Sequence, residues 1–405
     1  MTGDATDATD TTGDDGASES TDSAESRAAL STVSHGDARD LLVDLVATPS
    51  PSGEERAAAE HLVAFFEAHG REAWLDGVGN VRAPADDAVL LTSHVDTVPG
   101  DVPVRVEDGV LWGRGSVDAT GPLAAMAVAA VETGVSFAGV VGEETDSRGA
   151  HHLVADREAP DAVVNGEPSG WDALTLGYRG FLAGTYETET EGMHTSRPEP
   201  NAVEEAMAWW RRVTAALDAG GDGPDGETTG PSVETAGDSD GESTGDSADP
   251  AGDSDETPVF ERVTAKPVAF EGGVAEDGLA VTATVDAQFR VPPSRTVESM
   301  RATVEGELDD GTVTWRSSIP PTVQSPRTPV ARAFRVAIRE AGGSPRLVRK
   351  TGTSDVNVYD GAWNCPMATY GPGDSALDHA PDERLSLAEY DRAIGVLVDV
   401  CERLQ

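Results

Sequence analysis

Five short segments of the chain hold residue types that bind metals or move protons. His94 and Asp96 stand two apart in Ser-His-Val-Asp-Thr (93–97), and Asp118 closes the glycine-rich run Gly-Arg-Gly-Ser-Val-Asp (113–118). Glu143 and Glu144 follow a glycine at 142, Glu167 lies in Asn-Gly-Glu-Pro-Ser (165–169), and His379 lies in Asp-His-Ala-Pro (378–381). Side chains two apart at a strand end point to the same face, so His94 and Asp96 can share a site. Singly these segments say little, because a lone histidine in apolar surroundings is more often a satisfied core residue and paired glutamates are usually solvated surface. Jointly they put imidazoles and carboxylates at the ends of separate elements of an α/β sheet, where ligands of open α/β folds gather. Two imidazoles with several carboxylates suit zinc, with cobalt or manganese as substitutes.

The elements that must carry these residues can be read from periodicity. Residues 37–47 form a helix with Leu41, Leu42, Leu45 and Val46 on one face, and Ser52 with Glu55 makes a capping box for a second helix reaching about 69. Short strands fit 80–82, 89–93, 111–112, 136–141 and 162–165, with an apolar helix over 122–131. Strands alternating with helices predict a mixed sheet covered on both faces. After Tyr178 the pattern changes to a strand at 181–190, a helix at 201–217, strands at 262–270 and 279–291, and a helix at 297–308. The first pattern resumes at 326, with helices over 328–341 and 386–404 flanking a strand at 367–370. The expected organisation is an α/β catalytic domain over 34–179 and 322–405, interrupted by an α+β lid over 180–321.

A length of 405 residues fits two domains better than one core. The formal charge is −44, from 73 acidic and 29 basic residues, and the only lysines are Lys266 and Lys350. Such an excess repels nucleic acid and anionic membrane surfaces, so neither is expected as a partner. With 38% hydrophobic residues the chain is not a disordered acidic protein as a whole. A salt-adapted surface explains the charge, since at 1 M salt the Debye length is about 3 Å and self-repulsion nearly vanishes. Residues 1–33 and 220–257 lack apolar content, the latter carrying twelve carboxylates between Asp222 and Glu256, and are expected to be a disordered tail and insert. Cys365 and Cys401 have no metal-like spacing and read as buried or free thiols. With no apolar run of membrane-spanning length and no signal-peptide core, a cytoplasmic protein is expected.

The five segments together resemble the metallohydrolase family of acetylornithine deacetylase, succinyl-diaminopimelate desuccinylase, aminoacylase and carboxypeptidase G. The resemblance covers the chain apart from the acidic tail and insert. It implies a zinc-peptidase-like catalytic domain, a lid that also dimerises, and two zinc ions. Asp118 would bridge them, His94 and Glu167 would complete one site, and Glu144 and His379 the other. Glu143 would be the general base, and Asp96 would orient His94. His194, in Glu-Gly-Met-His-Thr-Ser-Arg-Pro (191–198), would complete the partner subunit's site in a homodimer, and Arg290, in Phe-Arg-Val-Pro-Pro (289–293), would hold a substrate carboxylate. The run Gly-Glu-Pro-Ser-Gly-Trp-Asp-Ala-Leu-Thr-Leu-Gly-Tyr-Arg-Gly (166–180) is similar to the subgroup that releases lysine or ornithine from the amino-group carrier protein LysW. Arg179 stands where that subgroup more often has lysine. Asn357, in Gly-Thr-Ser-Asp-Val-Asn (352–357), stands where the desuccinylase branch has an arginine for a free substrate carboxylate. Its absence argues against small succinylated substrates and leaves Asn357 and Asp355 as substrate contacts, Asp355 for the side-chain amine. Deacetylation of acetylornithine or acetyl-lysine, a dinuclear aminopeptidase and a non-catalytic binding module are the competing readings.

Overall fold

The computed structural model describes residues 32–192, 196, 198–219, 258–276 and 278–405. The expected insert 220–257, His194 and all of the tail up to residue 31 lie outside them. Thr32 and Val33, just before the expected boundary at 34, are held to the larger body. The Thr32 and Val33 amides donate to the Glu132 carboxylate at 2.9 and 2.6 Å, and Val33 is buried.

A nine-stranded mixed sheet forms the larger body. In its middle, Val135–Val140, Asp86–His94, Val163–Gly166 and Met367–Thr369 run parallel to one another in that order, so all four end at the same edge. These strands are buried, apart from the exposed start of Asp86–His94, as a parallel sheet covered on both faces requires. The helix Thr120–Thr133 packs on one face; it is apolar on every side, and twelve consecutive residues from Thr120 to Val131 are buried. It stops at Gly134, whose left-handed φ of +72° caps the last turn. Truncating a core side chain there, such as Leu123, costs about 2–5 kcal/mol. The helices His35–Val46 and Leu387–Leu404 pack against the same helix and close that layer.

Several short elements escape the periodicity reading: the helices Arg148–Asp156 and Val356–Ala362 and the strands Ala173–Tyr178, Arg346–Lys350 and Arg384–Ser386. Ser52 and Glu55 do not form the expected capping box, since the helix Arg56–Ala68 begins without a side-chain cap. The Ser52 hydroxyl donates instead to Asp96 at 2.7 Å, and the buried Glu55 carboxylate pairs with Arg148. Tertiary partners outcompete the local turn.

The second sheet has four antiparallel strands in the order Thr264–Val274, Ala280–Val291, Gly180–Glu191 and Thr312–Ile319. The last of these was not read from sequence, because only alternate residues are half-covered. One face is packed by the helices Ala202–Ala219 and Val297–Gly306, around a separate cluster that includes Tyr186 stacked on Trp209 at 4.1 Å. The chain crosses between the sheets twice, at Arg179 and at Pro320 and Pro321. Among the described residues no helix is long and apolar enough to cross a membrane.

Candidate metal centre

Loops leaving the common edge of the four parallel strands bring His94, Glu143, Glu144, Glu167 and His379 together, and Asp118 meets them from the loop after Val110–Trp112. The Asp118 carboxylate lies between two imidazoles. His94 Nε2 is 3.3 Å from Oδ1, and His379 Nε2 is 3.0 Å from Oδ2. His379 Nε2 also lies 3.1 Å from Glu144 Oε1. One ligand atom from each of His94, Asp118 and Glu144 falls within 4.8 Å of the others. A carboxylate offering one oxygen toward each of two histidines has the donor arrangement of a bridge between two cations, so the residues present fit a dinuclear site. His379 adopts a left-handed φ of +60°, a conformation that non-glycine residues hold only where surroundings impose it.

The electrostatics of the metal-free protein point the same way. Burial opposes ionisation of Asp118, but hydrogen bonds from His379 and His94 hold its carboxyl well below the usual range. Its hydrogen bond to Asp118 raises His379 to about 9. Burial opposes the charge on His94, but its bond to Asp118 together with the Glu143, Glu167 and Asp96 carboxylates raises it. Burial, reinforced by the Asp118 charge, pushes Glu167 to about 7 and Asp378 to about 8. Burial and then Glu167 push Glu143 well above an ordinary glutamate. Carboxyls crowded this closely in a low-dielectric cleft require compensating positive charge to ionise together.

Asp96 reaches His94 through its main chain and not through its carboxylate. His94 Nδ1 bonds the main-chain oxygen of Asp96 at 2.8 Å, whereas the Asp96 carboxylate is 3.7 Å from that nitrogen. The carboxylate is occupied elsewhere: Oδ1 accepts from the amides of Gly142 and Glu143 at 2.9 and 3.1 Å, and Oδ2 from the Glu144 amide and Ser52 hydroxyl at 3.1 and 2.7 Å. Asp96 therefore ties down the loop bearing Glu143 and Glu144, and sets the His94 ring through its carbonyl. Gly142 makes this possible with φ +79°, and a Cβ there would sit 2.2 Å from Arg148.

Glu383 performs the same service for Asp118 and was missed from sequence. The strand Arg384–Ser386 pairs antiparallel with Val110–Trp112, Arg384 opposite Trp112, which sets Glu383 beneath the loop 113–118. Fully buried, Glu383 accepts at Oε1 from the Val117 and Asp118 amides (2.9 and 3.1 Å). At Oε2 it accepts from the Gly115 amide and Arg114 (3.1 and 2.8 Å). A carboxylate in a chain with 73 acidic residues carries no sequence signal of this kind.

The two expected substrate contacts in the segment 352–357 do not reach the cleft. Asp355 is buried at the start of the helix Val356–Ala362, is raised to about 6 by burial, and is absent from the cavity wall. Asn357 is buried and spends its amide on main chain: Nδ2 donates to Pro320 at 2.9 Å and to Arg179 at 3.4 Å, and Oδ1 accepts from Ser354 at 3.0 Å. Arg179, also buried, donates to the carbonyls of Thr351, Val259 and Arg262 and to the Thr264 hydroxyl. Arg290 does line the cavity, its guanidinium 4.8 Å over the Phe181 ring and 3.4 Å from Thr353 Oγ1.

The cavity that holds the centre has a volume of about 1450 Å³ and is walled by both sheets. The chain matches the model of peptidase family M20/M25/M40 over residues 90–403. It is 38% identical to a [LysW]-lysine hydrolase of Deinococcus radiodurans, over 91% of this chain and 97% of the relative. A putative [LysW]-lysine/[LysW]-ornithine hydrolase of Thermococcus kodakarensis is 36% identical over 92% of this chain and 94% of the relative. Among solved structures, the M20 family metallo-carboxypeptidase Sso-CP2 of Sulfolobus solfataricus superposes with a TM-score of 0.69 at 17% identity, covering 91% of this chain and 99% of that one. With the family model matched over residues 90–403 and relatives of 36–38% identity along nine-tenths of the chain, the chain is a member of peptidase family M20/M25/M40.

Proposed function

We propose that this protein hydrolyses the isopeptide bond that joins lysine or ornithine to an amino-group carrier protein of the LysW type. The observation that supports this substrate most is the 38% identity, over 91% of the chain, to a hydrolase of that name. The cavity of about 1450 Å³ exceeds the roughly 300–1,000 Å³ of ordinary small-molecule sites and leaves room for a carrier terminus.

Asp118, His94, Glu167, Glu144 and His379 would hold the metal ions, with the Asp118 carboxylate shared between them. Two zinc ions bound there supply Lewis acidity to the amide carbonyl and bring the pKa of water from 15.7 to about 7. Cobalt or manganese can substitute. The Glu143 carboxylate takes the proton of the attacking water and returns it to the leaving amine. Asp96 and Glu383 keep the base and the bridge in place. Arg290 holds the α-carboxylate of the released amino acid.

The active form is a homodimer in which His194 serves the partner's site. The strand Thr264–Val274 is an edge of the lid sheet with Phe270 and Val274 exposed, a surface that a second copy would cover.

The test is to incubate zinc-loaded protein in molar salt with aminoacylated carrier and, separately, with acetylornithine, and to identify the released product. Release of lysine or ornithine from the carrier supports the proposal. Turnover of acetylornithine alone would make the protein a deacetylase instead.

A further inference from the structure

The cavity wall carries four guanidinium or ammonium groups, on Arg290, Arg316, Arg346 and Lys350. Two are already neutralised: Arg316 pairs with Asp286 and Arg346 with Asp172, each at 2.9 Å. Among the described residues no carboxylate forms an ion pair with Arg290 or with Lys350. Arg290 comes from the lid strand Ala280–Val291, and Lys350 ends the strand Arg346–Lys350 of the larger sheet, opposite Tyr178. Arg346, Val348 and Lys350 lie two apart along that strand and all face the cavity, as strand alternation requires. The Lys350 charge is felt at Asp118, Glu167 and Asp378, so the ammonium stands beside the centre.

An ammonium is rare in this chain. Lysine accounts for two of 29 basic residues, so arginine is the cation it otherwise uses. Lysine differs from arginine in being a compact charge with three rotatable donors on a flexible stem, suited to an anion that a planar fork cannot meet. In the proposed substrate the isopeptide bond runs through the γ-carboxyl of a glutamate at the carrier's terminus, which gives two carboxylates: one on the amine side of the scissile bond, and the glutamate's own α-carboxylate on the acyl side. Two unpaired cations, one on each wall, match two carboxylates.

We propose that Lys350 is the specificity residue for the acyl side, binding the free α-carboxylate of the carrier's γ-linked terminal glutamate while Arg290 binds the amine-side carboxylate. The inference rests on the carrier-hydrolase reading and extends it.

Two small substrates separate this idea from that reading. Nα-glutaryl-lysine keeps the γ-glutamyl spacing from scissile carbonyl to carboxylate, and Nα-pentanoyl-lysine replaces that carboxylate with a methyl group. The zinc-loaded protein in molar salt should prefer the glutaryl substrate at least tenfold in kcat/KM, chiefly through KM. In Lys350→Met the preference should shrink toward one, while Lys350→Arg retains part of it. Lys350→Gln, uncharged and of similar reach, replaces the methionine variant if that one does not fold. An equal fall on both substrates would mean that Lys350 acts on the centre's own carboxylates and would overturn the proposal. So would a wild-type enzyme that does not distinguish the two. Failure to release lysine or ornithine from the carrier, with the glutaryl preference intact, would overturn the carrier reading alone.

Discussion

Replacing Glu383 should damage the metal centre more than its distance from the chemistry suggests. Its carboxylate accepts three main-chain amides and the Arg114 guanidinium, all at 2.8–3.1 Å, from a fully buried position. Hydrogen bonds to a charged group contribute about 1.5–3 kcal/mol each, but four on one carboxylate are not additive. Breaking a buried pair by removing one partner costs about 3–5 kcal/mol, since the other is left uncompensated. We set the loss for Glu383→Ala at about 3–5 kcal/mol, a large part of the roughly 5–15 kcal/mol that holds a domain folded. In melting temperature that is roughly 6–20 °C. Glu383→Gln should be little better: its oxygen can still accept two donors, but its amide nitrogen then faces the other two. Because the Asp118 amide is one of the groups released, both variants should also bind zinc more weakly. The assay is a thermal melt with and without zinc in molar KCl, with metal content by elemental analysis. A Glu383→Ala protein with full zinc and a melt within about 1 kcal/mol of wild type would refute the assignment.

Glu143→Ala should keep both metals and lose most turnover, whereas Glu144→Ala should lose metal as well; equal metal loss in the two variants would end that division of roles. A His194→Ala chain mixed with a Glu143→Ala chain should regain activity in heterodimers, and heterodimers that form but stay inactive would place His194 outside the partner's site. In the metal-free protein Glu167, Asp378 and His379 keep protons up to about 7, 8 and 9, above their ordinary values. The native state then binds more protons than the unfolded chain, so their contribution is full below the unfolded pKa values, about 4 for the carboxyls and 6.5 for histidine, and is lost as pH rises toward 9. Chelator-treated protein should melt lower at pH 9 than at pH 5 in molar salt, and zinc uptake near pH 7 should release protons; a melt that rises with pH across that window would contradict this.

What could be read from the sequence, and what could not, divides along a physical line. Most ligand loops were legible because they follow buried parallel strands, short apolar runs that announce where they end, whereas Asp118, after the antiparallel strand Val110–Trp112, was legible from its glycine-rich run. Asn357 and Asp355 were misread because the segment 352–357 looks like a cleft loop, while the helix Val356–Ala362 turns both side chains inward. Ser52 and Glu55 have the spacing of a capping box, but Asp96 and Arg148, 44 and 93 residues away, claim them. Glu383 depends on strand pairing across more than 260 residues, which no local pattern encodes. Lys350 was visible only as a rare letter until the strand Arg346–Lys350 turned it into the cavity.

The connections at Arg179 and Pro320 constrain how the protein can move. Asn357 grips the main chain of both, and the Arg179 side chain spans from Thr351 to Val259, Arg262 and Thr264 on the lid side. Any swing of the lid sheet against the larger sheet must turn about this bolt, because it is where both connecting segments are fastened. The segment between Lys350 and Ser354 is clamped at one end by Arg179 and at the other by Asn357, and it also forms part of the cavity wall. A substrate lying against this wall would touch the segment that Arg179 and Asn357 clamp, so the binding wall and the joint between the sheets are built from the same residues.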